Sequence, residues 1–225
     1  MPRVARQVFP NLPHHITQRG NRRDDVFFCD NDKQLYLDWL IEYCLKYKVT
    51  LLSYCLMDNH VHLVLVPETA DGLQKVLKPL HMRYAQYINK QQGWTGHLWQ
   101  GRFFSSALDE QHTYSAIRYV ERNPIEAKMV EQAEDYKWSS AAHHCGFVEN
   151  KALSHKANKL IAVTQDDWSE WLTKKDSKAM TELLERNTEK GLPCGNDSFI
   201  AKLEQLAKRS LRYRPQGRPS KGDKG

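Results

Sequence analysis

Residues 49–66 read VTLLSYCLMDNHVHLVLV. Two runs, 49–57 and 60–66, have the character of buried strands, and Asp58-Asn59 between them marks a hairpin. Asp and Asn tolerate left-handed backbone, which suits a tight turn at that point. Side chains alternate across a strand, so Val61, Leu63 and Leu65 fall on one face and His60, His62 and Val64 on the other. Two imidazoles on one strand face are either a half-exposed edge pair or the beginning of a metal site.

Working outward, HHITQRG (14–20) predicts a strand and NRRDD a loop. Residues 31–48 place Leu37, Leu40, Ile41, Cys44 and Leu45 at helical spacing, with Asn31 or Asp32 as cap. Residues 71–91 form a second amphipathic helix that Pro79 should kink or break early. The Gly-rich, aromatic GWTGHLWQGRF (93–103) reads as a loop, 103–109 as a short strand, and 110–124 as a third helix stopped by Pro124. The order β-α-β-β-α-β-α predicts an α+β fold, a ferredoxin-like antiparallel sheet with helices on one face. Residues 1–150 form this main domain, with 125–150 a compact extension anchored by YKWSSAAHH. Residues 151–207 carry weaker helical spacing, two short helices and then one capped by Asp197 or Ser198. Residues 208–225 form a basic tail whose final dozen residues lack apolar periodicity and fixed structure of their own.

The 225 residues are 40% hydrophobic and 27% charged, which suits a soluble globular protein. No apolar run reaches the roughly 18 to 20 residues that cross a bilayer, and MPRVARQVFPNLPHH lacks the apolar core of a secretory signal. Five scattered cysteines without a CxxC pair point to reduced thiols and away from a cysteine zinc site. A cytoplasmic, nucleoid-associated protein is expected. The net charge of +6 is unevenly placed: residues 208–225 hold seven Lys or Arg against one Asp, and the first 23 residues hold five arginines and no acid. Basic ends around a mildly acidic middle seek phosphate, unless they only aid solubility.

Tyr119 and Asn123 are four residues apart in the third helix and share its face, whereas Tyr114 lies about 140° from Tyr119 around the axis. A phenol and a carboxamide on one helix can address the same point as two imidazoles on the sheet's helix-free face. At these residues the sequence resembles a known family. PHHITQRGNRR, MDNHVHLVL, GHLWQGRF and YVERNP, in that order, are similar to the REP-associated tyrosine transposases of bacteria. These are single-copy relatives of hairpin-ended insertion sequences within the single-tyrosine HUH superfamily. The resemblance covers roughly residues 10–145. It implies a ferredoxin-like domain that cleaves single-stranded DNA beside an imperfect hairpin, leaving a 5′-phosphotyrosine and a free 3′-OH. It further implies that His60, His62 and Asn123 ligate a divalent metal, Mg²⁺ or Mn²⁺, and that Tyr119 is the nucleophile. Some relatives carry Gln or Glu in place of that Asn.

Arg19, Arg22 and Arg23 could hold phosphates or bases of an unpaired strand, or be plain exposed arginines. Trp99, Gln100, Arg102 and Phe103 mix stacking and phosphate-binding types, although Trp99 and Phe103 would serve equally in a core. Arg212, Arg214 and Arg218 in the tail offer general phosphate affinity. His97, His112 and Tyr114 read as packing or surface residues, and His14 and His15 stay ambiguous. Three classes fit: a tyrosine DNA endonuclease and strand transferase acting on REP-like hairpins, a non-catalytic hairpin-binding module, or a structural metal domain. A monomer and a homodimer are both compatible with the sequence.

Overall fold

The two apolar runs of the opening stretch become β2 (Val49–Met57) and β3 (His60–Pro67), paired antiparallel from Val49↔Pro67 to Met57↔His60. This computed structural model describes residues 7–150, 153 and 168–214. The pairing shifts by one between Leu51 and Ser53, a bulge. Neither Asp58 nor Asn59 adopts the left-handed backbone expected of the turn; Arg22 (φ 55°) and Arg23 (φ 68°) nearby do. The hairpin tip is instead held from outside. Val26 N and Phe27 N donate to Asp58 O, and Gly20 N donates to Asn59 O at 2.9 Å.

β1 (His14–Arg19) pairs antiparallel with β3 on one side and with β4 (Phe104–Ala107) on the other, giving the strand order β2-β3-β1-β4. This is the order of the ferredoxin-like sheet. Helices α1 (Asp30–Lys46) and α2 (Gly72–Gln92) pack together and cover the face carrying the fully buried Val61, Leu63 and Leu65. Tyr36, Leu40, Leu73, Val76, Leu77, Leu80 and Tyr84 fill the space between. α1 is capped by Cys29, two or three residues before the expected caps, because Asp32 Oδ2 accepts from the backbone N–H of Phe28 and Cys29. α2 continues unbroken through Pro79. An interior proline costs about 3 kcal/mol, and the buried residues on both sides of it, Val76, Leu77 and Leu80, offset that cost by packing.

Helix α3 (Glu110–Glu126) crosses the opposite face, the one α1 and α2 leave free, and runs two residues past Pro124. Glu121 on α3 is 0% exposed. It accepts hydrogen bonds from Ser140 Oγ, His144 Nδ1 and, at 2.8 Å, Trp168 Nε1. After the short α4 (Ala141–His144) come α5 (Trp168–Thr173), α6 (Lys178–Lys190) and α7 (Asp197–Ala207). α7 is capped by Asn196, whose side chain accepts from Phe199 N, rather than by Asp197 or Ser198.

The helical extension shares the core of the main domain. Trp168, Leu172 and Leu184 are buried in it. α6 lies along β4, and Cys194 N donates to Ala107 O at 2.8 Å. Part of the tail is also fixed, since Leu211 packs on Phe9, Ala107 and Leu203. Among the described residues no helix is long and apolar enough to cross a membrane.

Candidate active site

The β1–β3 register sets Thr17 opposite His62 and Arg19 opposite His60. By alternation His15, Thr17 and Arg19 therefore share the α3-covered face with both histidines. His15 stacks on His62, ring centroids 5.3 Å apart and 3° from parallel, with His15 Nε2 3.1 Å from His62 Nδ1. The other ring nitrogen of His15 lies 2.8 Å from Thr188 Oγ1 on α6. If Thr188 accepts from His15 Nδ1, His62 Nδ1 donates to His15 and His62 Nε2 is left with its lone pair. His60 is oriented in the same manner, its Nδ1 2.6 Å from Asn59 Oδ1. The two rings are 4.9 Å apart.

Burial holds all three imidazoles neutral at pH 7. It lowers His15 to about 4. His60 is lowered to about 4, first by burial and then by the Arg19 charge. His62 is held well below the usual imidazole range by burial and by its neighbours His60, His15 and Arg19. Neutral rings with one nitrogen held by a neighbour are the state in which histidine ligates metal.

Tyr119 comes down from α3 onto this group, its ring edge-on to His62 at 5.4 Å and to His15 at 5.7 Å. Its hydroxyl donates to Glu185 Oε1 on α6 at 3.0 Å. Burial raises the phenol above its ordinary pKa, and Glu185 raises it further, while Arg19 and Asn123 act against the rise. The Asn123 side chain lies near enough to both groups to raise the His60 imidazole and lower the Tyr119 phenol. Its Nδ2 also donates to Tyr119 O at 2.8 Å. The sequence-predicted His60, His62, Tyr119 and Asn123 thus meet in one place. Among the described residues no three His, Cys, Asp or Glu side chains gather as a metal set.

The predicted nucleic-acid contacts divide. Arg19 lies at the site, its charge acting on His60, His62 and Tyr119. Arg22 and Arg23 are exposed on the turn after β1. Trp99 is 8% exposed; its ring lies against Tyr36, His81 and Tyr84, and its Nε1 donates to His81 O. That burial makes it a core residue rather than an exposed stacking platform. Gln100 N donates to Arg19 O, which ties this loop to the end of β1 and leaves the Gln100 and Arg102 side chains exposed. Arg212 is paired with Asp197 and Glu204, so much of its charge is met within the chain. Arg214 is exposed, and Arg218 lies outside the described residues. His14 is structural, accepting from Phe9 N and bonded to Leu12 O.

Sequence reading left His15 ambiguous and missed Thr188 and Glu185. His14 and His15 point to opposite faces, and only the register with β3 tells which one meets His62. Glu185 and Thr188 sit 66 and 173 residues from their partners, and no local pattern marks such contacts.

The model of the IS200-like transposase family matches residues 8–123. The chain belongs to that family. In fold it is similar to a REP-associated tyrosine transposase solved bound to a REP hairpin, with a TM-score of 0.56 and 15% identity, covering 69% of this chain and 98% of that one. A crystal structure of a suspected transposase from Deinococcus radiodurans R1 is similar at a TM-score of 0.38 and 21% identity, covering 53% of this chain and 96% of the other. No curated protein sequence matches.

Proposed function

We propose that this protein cleaves and rejoins single-stranded DNA beside REP-like hairpins through a phosphotyrosine at Tyr119. The observation that carries this reading is the Tyr119 ring, from α3, set edge-on against His62, itself beside His60 on β3, in a member of a transposase family. The fold neighbour bound to a REP hairpin supports a DNA hairpin as the partner.

His60, His62 and Asn123 would hold Mg²⁺ or Mn²⁺, an oxygen and nitrogen donor set that suits these ions. Such an ion, when bound, supplies Lewis-acid polarisation of the phosphate oxygens. Arg19 draws the phosphodiester to the site. Glu185 accepts the hydrogen bond of the Tyr119 phenol and is placed to take its proton. Tyr119 Oη then bonds to phosphorus while the bond to the 3′-oxygen breaks, leaving a 5′-phosphotyrosine and a 3′-OH. The covalent link conserves the energy of the broken bond, so the strand is rejoined without ATP.

The test is a denaturing gel of the protein with labelled single-stranded hairpins and Mn²⁺. A slowly migrating, protease-sensitive adduct is expected from the wild type and from Tyr114→Phe, and none from Tyr119→Phe. An adduct persisting in Tyr119→Phe, or a native gel shift with no adduct in any variant, would refute the reading.

A further inference from the structure

A cleft of about 380 Å³ opens beside the Tyr119 site, between the end of β1, the loop before β4 and the C-terminal end of α6. Four cations line it: Arg19, Arg102, Lys190 and Arg209. One acid, Glu189, stands against them. None of the four cations takes part in an ion pair among the described residues, and the buried Nε of Arg209 has no hydrogen-bond partner. Like charges gathered without counter-charge destabilise a fold unless an anion returns the energy. Phe104, 42% exposed, also lines the cleft and offers a ring for stacking.

We infer that this cleft is a nucleotide subsite, binding one phosphodiester and base of the single strand next to the nucleotide at Tyr119. The inference rests on single-stranded DNA being the substrate. Arg19 joins the two places, since it lines the cleft and its charge also acts on His60, His62 and Tyr119. The volume is at the small end of ligand sites, room for one nucleotide and not for a duplex. Lys190 and Arg209 lie outside residues 8–123 that match the family. The C-terminal extension therefore does more than brace α3: it supplies half the cations of a strand-binding site.

The test measures fluorescence anisotropy of 5′-fluorescein-dT12 with the full-length chain in EDTA, where no cleavage can contribute. Lys190→Ala and Arg209→Ala should each weaken binding on the order of fivefold and flatten the slope of log affinity against log salt by about 0.7. A 12-base-pair duplex should compete poorly. Unchanged affinity and slope in both variants, or equal competition by the duplex, would overturn the inference. Should the variants misfold, acetylation of the wild type decides: dT12 should protect Lys190 but not Lys178, whose side chain is 90% exposed. An unprotected Lys190 also overturns it. Loss of dT12 binding in the variants with no adduct on any hairpin would leave the cleft standing and sink the cleavage reading. An adduct with unaltered dT12 binding would do the reverse.

Discussion

Glu185→Gln separates proton transfer from hydrogen bonding at the nucleophile. The amide is close in shape to the carboxylate and can still accept the Tyr119 hydroxyl, now 3.0 Å from Glu185 Oε1, but it cannot take the proton. Attack must then draw on phenolate already present. A tyrosine with a pKa near 10 is ionised in fewer than about one molecule per thousand at pH 7, and burial pushes Tyr119 higher still. A positioned general base contributes roughly 10²- to 10⁴-fold, or about 3 to 5 kcal/mol at 1.36 kcal/mol per tenfold. Removing the Glu185 charge also relieves part of the upward shift of the phenol, so the loss should fall in the lower half of that range. The sign with pH follows. The variant should gain close to tenfold in single-turnover rate per unit of rising pH from 6 to 9, as phenolate accumulates, and the wild type should vary much less. The assay is adduct formation under single turnover with saturating hairpin and Mn²⁺, with circular dichroism as a check on folding. A variant within threefold of wild type across that range would refute the base assignment. A faster variant would mean that Glu185 restrains the tyrosine instead.

Three further outcomes are expected. His15→Ala removes the partner that holds His62 Nδ1, and should weaken Mn²⁺ binding about 10- to 100-fold by DNA-free calorimetry; an unchanged affinity would show that His15 does not orient the ligand. Glu121→Ala leaves Trp168 Nε1, Ser140 Oγ and His144 Nδ1 without their buried acceptor, and should cost about 3 to 5 kcal/mol in urea unfolding; a loss under about 1 kcal/mol would mean that neighbouring groups re-pair easily. Deleting residues 215–225 removes Arg218, Lys221 and Lys224. It should flatten the salt dependence of single-strand binding by about 0.7 for each phosphate left without its cation, and an identical slope would show that this segment does not touch DNA.

The element order was legible in the sequence because strand and helix periods are local. HVHLVLV alternates and residues 31–48 repeat at helical spacing, and β3 and α1 form there, with Leu37, Leu40 and Cys44 buried but Leu45 of the expected apolar face exposed. The core of the site was legible for the same reason: two residues apart on a strand, and four apart on a helix, fix a shared face whatever the rest of the chain does. His60 with His62, and Tyr119 with Asn123, are such pairs. The prolines show where local reasoning ended. Pro79 was expected to kink or break its helix early and Pro124 to stop its own, but packing around them, which no local rule contains, carries α2 and α3 through.

Tertiary structure alone decided which face each pair would meet and what would stand behind it. The β1–β3 register chose His15 over His14 as the neighbour of His62. The fold of α6 against β4 brought Glu185 to the Tyr119 hydroxyl and Thr188 to His15. Packing against Tyr36 of α1 and His81 and Tyr84 of α2 turned Trp99 inward, and the C-terminal extension set Lys190 and Arg209 beside Arg19. These contacts join residues scores of positions apart. They exist because apolar faces had to be buried against one another, and the polar groups that meet at the seam are set by that packing.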